Sequence, residues 1–114
     1  MTLPFDSIDV DALARRLPSE AETLQLIDVR EPDEVAIASL PGFQVLPLSQ
    51  YQDWAAQIHQ RFETERETIV MCHHGTRSAR MCQWLVQQGF TNVKNLSGGI
   101  DAYACQVDPS IPRY

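Results

Sequence analysis

The sequence predicts an α/β domain, a mostly parallel sheet with helices on both faces. Three observations lead there. Residues 24–29 (LQLIDV) and 68–71 (TIVM) are short and almost wholly apolar, as strands buried on both faces are. Segments with a 3.6-residue apolar period lie around them. Strand-like and helix-like segments alternate, the pattern of parallel strand–helix–strand units. No low-complexity run, Gly/Ser linker or internal repeat divides the 114 residues, so one domain over residues 1–114 is expected.

The elements follow in order. Asp9 is placed to cap a helix over residues 10–17, with Val10, Leu13, Ala14 and Leu17 on one face. Residues 24–29 form the first buried strand. Pro32 suits the first position of the next helix, and Asp33 and Glu34 suit its positive end. Residues 44–46 (QVL) read as a short strand. Ser49 is placed to cap a helix through Phe62 that turns Tyr51, Trp54 and Phe62 into the core. Residues 63–67 (ETERE) then read as its solvated end. Residues 68–71 form the second buried strand. Residues 77–88 read as a helix stopped by Gly89. Residues 92–96 (NVKNL) read as a further strand, and a short helix follows Gly98 and Gly99. Pro109 and Pro112 keep the tail from being helical, so it lies along the surface.

Charge and composition exclude several functions. Nine Lys+Arg against fifteen Asp+Glu give a net charge of −6, which disfavours a nucleic-acid or anionic-membrane surface. No apolar run approaches the ~20 residues that span a bilayer, and no targeting segment is visible. Three cysteines, Cys72, Cys82 and Cys105, make no disulfide framework and point to a reducing compartment, the cytoplasm.

The chemistry concentrates in Cys72, His73, His74, Gly75, Thr76, Arg77 and Ser78. In a parallel sheet, sites lie beyond the carboxyl ends of the strands, and this segment leaves such an end and starts a helix. Gly75 lets the backbone turn. The amides of the helix start lack intrahelical partners and are placed to curl round the sulfur as an anion nest. Thiols at helix starts beside cations ionise at a pKa of about 3.5–7.5 instead of about 8.5, so a thiolate nucleophile is expected at Cys72. Adjacent histidines without a second ligand cluster do not make a metal site, so none is expected. Cys82 falls on the apolar face of its helix and reads as core. Cys105 carries no expected role.

Three further motifs join this loop. Residues 26–32 (LIDVREP), 40–48 (LPGFQVLPL) and 96–103 (LSGGIDAY) resemble, in order and spacing, the signatures of single-domain rhodaneses, a sulfurtransferase family. The resemblance runs from Ile8 to Pro112. It implies a three-layer rhodanese-like domain with about five strands, a Cys72 nucleophile and no cofactor. Ser39, Val35 and Tyr103 depart from the residues usual at their positions, which bears on substrate preference. Related phosphatases and arsenate reductases place five residues between Cys and Arg. Here four separate Cys72 from Arg77, and the tighter loop favours sulfur transfer.

The implied reaction takes sulfur from thiosulfate to a Cys72 persulfide and then to a thiol or cyanide. Arg77 supplies positive charge for the donor's oxyanion, and the loop amides cradle the developing charge. His73 and His74 supply a charge or a proton. Arg30 reads as structural, paired with Glu34 or another carboxylate. Asp28 at the same strand end is either a support of the sheet or a lining of the crevice. Gly98 and Gly99 allow close backbone approach to the loop. The alternatives are a persulfide relay to a specific protein and a non-catalytic docking module.

Overall fold

Alternation along the strands sets the layers. The computed structural model describes residues 3–114. In β4 (Thr68–Met71), Val70 and the following Cys72 belong to one apolar cluster, while Ile69 and Met71 belong to the other. In β2 (Gln25–Asp28), Ile27 faces the first cluster and Leu26 the second. The period of two thus gives one strand two buried faces. The first cluster is closed by Trp54, Ile58, Phe62, Met81 and Leu85, the second by Val10, Leu13, Ile100 and Tyr103. The result is the three-layer α/β arrangement that the alternating pattern implies.

With β1 (Asp6–Ile8), β3 (Gln44–Val45) and β5 (Val93–Leu96), the sheet has five parallel strands in the order β1-β5-β4-β2-β3. β1 was not anticipated from the sequence. It has one buried apolar residue, Ile8, and too few positions to show a period. Its pairing with β5 is long-range, with Ile8 opposite Leu96.

The helices follow local chemistry with two departures. The Asp9 carboxylate accepts the Ala12 amide at 2.7 Å and starts α1 (Val10–Glu20). α1 runs three residues beyond Leu17 because Pro18 removes only one hydrogen bond near the helix end. α2 (Pro32–Ile37) begins with Pro32, and the Glu34 carboxylate reaches back to the Glu31 amide at 3.1 Å. The helix expected from Ser49 to Phe62 is broken. Short α3 (Tyr51–Trp54) and α4 (Ile58–Arg61) are separated and preceded by single tight turns. Ser49 caps nothing and instead hydrogen-bonds Glu31. Trp54 turns inward and donates to the Pro47 carbonyl at 2.8 Å, which leaves Tyr51 exposed and outside the core.

Residues 63–67 are not a helix end either, since α4 stops at Arg61. The Arg66 guanidinium ties this turn to the carbonyls of Glu22 and Thr23. Glu67 is largely covered and accepts from Arg16 at 2.6 Å and Lys94 at 2.5 Å. These partners, Arg16 first, pull its carboxyl down to about 2 from the ordinary 4.5. A depressed folded-state value means that the pair stabilises fully above about pH 4.5 and is lost as pH falls toward 2. Stability measured by urea at pH 5, 4 and 3 is therefore expected to fall, and Glu67→Gln to flatten that fall; an equally steep profile in the variant would refute the assignment.

α5 (Thr76–Gln87) ends before Gly89, whose φ of +97° suits the left-handed turn. α6 (Gly99–Gln106) follows β5. Both α5 and α6 start at the carboxyl ends of the central strands, which brings their first turns together.

Candidate active site

Cys72 follows β4 directly and is 1% exposed. The loop after it folds back because Gly75 takes φ +106°. That turn aims the Gly75 amide at the Cys72 sulfur, 3.0 Å away. From the first turn of α5, the buried Ser78 hydroxyl lies 3.2 Å from the same sulfur. Ser78 also lies 2.5 Å from the Asn95 side-chain oxygen, and the Asn95 amide donates to the Gly75 carbonyl at 3.0 Å. Asn95 on β5 therefore holds both groups that reach the sulfur. Among residues 73–78 the Gly75 amide donates to the sulfur, while the single Ser78 proton goes to the nearer Asn95 oxygen and leaves the hydroxyl oxygen beside the sulfur. The first-turn amides of α5 lack intrahelical partners.

The loop is clamped from α6. The amides of Ile100 and Asp101 donate to the carbonyls of Cys72 and His73, at 3.0 and 3.1 Å. This contact is backbone on backbone. A side chain on Gly99, where φ is +62°, would run into those same two carbonyls. The expected close approach is therefore present at Gly99, whereas a side chain on Gly98 would meet Ala102 of α6.

The charges at the mouth are paired. Arg77 makes a two-pronged bond to Glu34, at 2.6 and 2.9 Å. It is thus not the free cation expected from the loop sequence, because α2 brings a carboxylate across from 43 residues away. Arg77 first, then the Glu31 amide and the Tyr114 hydroxyl, hold the Glu34 carboxyl at about 2. Arg30 is structural, but its carboxylate is that of Asp28 and not of Glu34. The pair is fully buried, with contacts at 2.8 and 3.0 Å. Arg30 also donates to the carbonyls of Glu34 and Ala38 and to the Tyr114 hydroxyl. Asp28 therefore supports the sheet end and does not line the crevice. Tyr114 donates on to Glu34 at 2.8 Å, and its ring stacks on His73 at 3.8 Å and 5°.

Residues 9–105 match the rhodanese-like domain family. The chain belongs to that family. It is 48% identical over 113 residues to rhodanese-like/PpiC domain-containing protein 12, chloroplastic, of Arabidopsis thaliana, covering 97% of this chain and 38% of that protein. It is 34% identical over 99 residues to a sulfurtransferase of Allochromatium vinosum, covering 87% of this chain and 88% of that one. The crystal structure of a rhodanese-like domain protein from Staphylococcus aureus superposes with a TM-score of 0.74 at 25% identity, covering 96% and 99% of the two chains.

The remaining side chains of this rhodanese-like domain sort by environment. His73 is half-buried between Tyr114 and His74, and its Nε2 has no hydrogen-bond partner. Burial, and then the neighbouring His74, lower its pKa and favour the neutral ring. His74 and Thr76 are exposed at the mouth. Donor atoms of His73, His74 and Asp101 lie within 4.8 Å of one another. The two rings lie tilted against each other, with centroids 3.8 Å apart and planes at 33°, and Asp101 accepts from Arg113 at 3.0 and 3.4 Å. Cys82 lies in the core, where burial pushes its thiol up to about 12. Cys105 is exposed on α6. Tyr103, where the family pattern favours Trp, packs between α1 and α6.

Sequence reasoning did not find Asn95, Glu34, Asp101 or Tyr114 as parts of this site. A polar Asn at a position that alternates with Val93 onto a buried face of the strand was the one signal available for Asn95. Tyr114 was signalled by the non-helical tail lying along the surface.

Proposed function

We propose that this chain is a sulfurtransferase that carries sulfane sulfur as a persulfide on Cys72. The observation that carries the reading is the Cys72 sulfur at a strand end, held by the Gly75 amide at 3.0 Å and the Ser78 hydroxyl at 3.2 Å. The Gly75 amide donates to the sulfur, and the Ser78 hydroxyl, whose one proton goes to the Asn95 oxygen, stands beside it. Family membership and the sulfurtransferase relative support the same reaction class.

With thiosulfate as donor, the Cys72 thiolate bonds to the outer sulfur. The bond from that sulfur to the sulfonate sulfur breaks, and its electron pair leaves with sulfite. Cys72 is left as a persulfide anion, and no outside oxidant is needed. The first-turn amides of Thr76, Arg77 and Ser78, which have no partners within the helix, suit the added sulfur and the charge that develops on the leaving group. A thiolate or cyanide then takes the outer sulfur and restores Cys72. Two displacements at one sulfur give ping-pong kinetics. Thiosulfate or a similar sulfane donor, a thiol or cyanide acceptor, and a reducing compartment such as the cytoplasm complete the proposal.

A second reading has specific support. In Zea mays, a protein named adenylyltransferase and sulfurtransferase MOCS3-1 is 31% identical over 103 residues, and the match covers 22% of it. A rhodanese-like segment inside a larger sulfur-handling protein fits delivery of the persulfide to a protein acceptor. That outcome would appear as a kcat/KM for the protein thiol far above that for small thiols.

Intact mass after thiosulfate tests the main reading. Wild type is expected to gain one sulfur, ~32 Da, that cyanide removes, and Cys72→Ser to gain none. A wild type that gains no sulfur from thiosulfate or an alkyl persulfide would refute it.

A further inference from the structure

We propose that Glu34 is a specificity-determining residue: it withholds the positive charge of Arg77 from the Cys72 mouth and so removes the advantage that small dianions would otherwise have there. The proposal deepens the sulfurtransferase reading, and its kinetic arm rests on it.

The geometry is that of a fixed pair and not of a chance surface contact. Glu34 takes both prongs of Arg77, at 2.6 and 2.9 Å. Two further donors hold the same carboxylate, the Glu31 amide at 3.1 Å and the Tyr114 hydroxyl at 2.8 Å. Tyr114 is itself held by the buried Arg30. Glu34 is therefore anchored on α2 from three sides, and its side chain is 17% exposed. Two-pronged arginine–carboxylate pairs with supporting hydrogen bonds resist solvent better than single surface contacts.

The charges around the mouth then cancel. Asp28 neutralises Arg30, Glu34 neutralises Arg77, and Asp101 neutralises Arg113. His73 favours its neutral form. The chain as a whole carries −6. A dianion such as thiosulfate thus meets hydrogen-bond donors but no net positive field. Freeing Arg77 restores about one unit of charge in the first turn of α5, beside the Cys72 loop. At a separation of about 6 Å, each unit of donor charge is worth a factor of roughly three in water-like surroundings.

Glu34→Gln removes the charge; its one side-chain oxygen serves the Glu31 amide, and its NH2 faces the Tyr114 hydroxyl, which accepts as well as donates. The first readout needs no turnover: alkylation of Cys72 by anionic iodoacetate against neutral iodoacetamide, followed on the Cys72 peptide at low ionic strength. The rate ratio is expected to rise about threefold in Glu34→Gln and to fall about threefold in Arg77→Gln, which leaves the carboxylate unopposed. The second readout compares thiosulfate, a dianion, with methanethiosulfonate, a monoanion. Both give the same persulfide, leaving sulfite and methanesulfinate respectively. In Glu34→Gln, kcat/KM is expected to rise about tenfold for the first and about threefold for the second.

An alkylation ratio that does not move in either variant overturns the proposal. So does an equal change for the two sulfur donors, which would mean that Glu34 acts only through the fold. If the alkylation ratio shifts as expected but neither donor loads sulfur on the wild type, the sulfurtransferase reading fails and the control of charge by Glu34 stands.

Discussion

Gly99→Ala is expected to lower stability by about 3 kcal/mol and to displace the Cys72 loop. Two separate costs meet at this position. Its φ of +62° is strained for any side chain, and the new Cβ falls on the carbonyls of Cys72 and His73. Those carbonyls accept the Ile100 and Asp101 amides, so neither can move without losing a hydrogen bond. Gly89 provides the control. It also has positive φ, +97°, but a Cβ there meets nothing within 4 Å. Gly89→Ala is expected to cost only about 1 kcal/mol, the conformational part alone. For a domain of this size, the urea midpoint should fall by roughly 2 M in Gly99→Ala and by less than half of that in Gly89→Ala. Equal shifts in the two variants would remove the clash from the explanation. In Gly99→Ala, persulfide formation should also fall with the displaced sulfur, whereas Gly89→Ala should keep it.

Arg30→Met is expected to cost about 3–5 kcal/mol, because it leaves the Asp28 carboxylate buried without its cation. Asp28 is 1% exposed and Arg30 0% exposed, so water cannot take over the lost contacts. Arg30→Lys should recover little, since one ammonium cannot serve Asp28, two carbonyls and the Tyr114 hydroxyl from one fork. The double variant Asp28→Asn with Arg30→Met removes the stranded charge and is expected to regain a large part of the loss. Thermal or urea unfolding of the three proteins checks this. A double variant no more stable than Arg30→Met would mean that the carbonyl and Tyr114 contacts of Arg30, and not its pairing with Asp28, hold the strand end.

Much of the site was legible because its chemistry is contiguous. A thiol, a turn glycine and a helix start follow one another in residues 72–78, and local geometry turns the Gly75 amide onto the sulfur. The glycine pair at 98–99 was legible for the same reason, since two glycines before a helix signal close backbone approach. The Asp9 cap, the Pro32 start and the Gly89 stop are likewise decisions of a few neighbouring residues.

Errors arose where a side chain found its partner far along the chain. Arg77 looked free in its own segment, yet α2 supplies Glu34. Residues 63–67 looked like solvated charge, yet Glu67 is covered between Arg16 on α1 and Lys94 on β5. The helix over 49–62 looked continuous by its apolar period, yet Trp54 turns to the Pro47 carbonyl and the backbone breaks around it. β1 is too short to signal itself and exists through its pairing with β5.

Periodicity and local capping were therefore sufficient for the layers, the main strands and helices, and the place of the nucleophile, because each depends on residues within one or two turns of one another. The strand order β1-β5-β4-β2-β3 does not follow the chain. It places Asn95 from β5, Glu34 from α2, Asp101 from α6 and Tyr114 from the tail around a loop that leaves β4. Which charges cancel at the mouth, and what holds Ser78 against the sulfur, are consequences of that order. A carboxylate or an amide is chosen as partner by its distance in space, and only the packed sheet sets that distance.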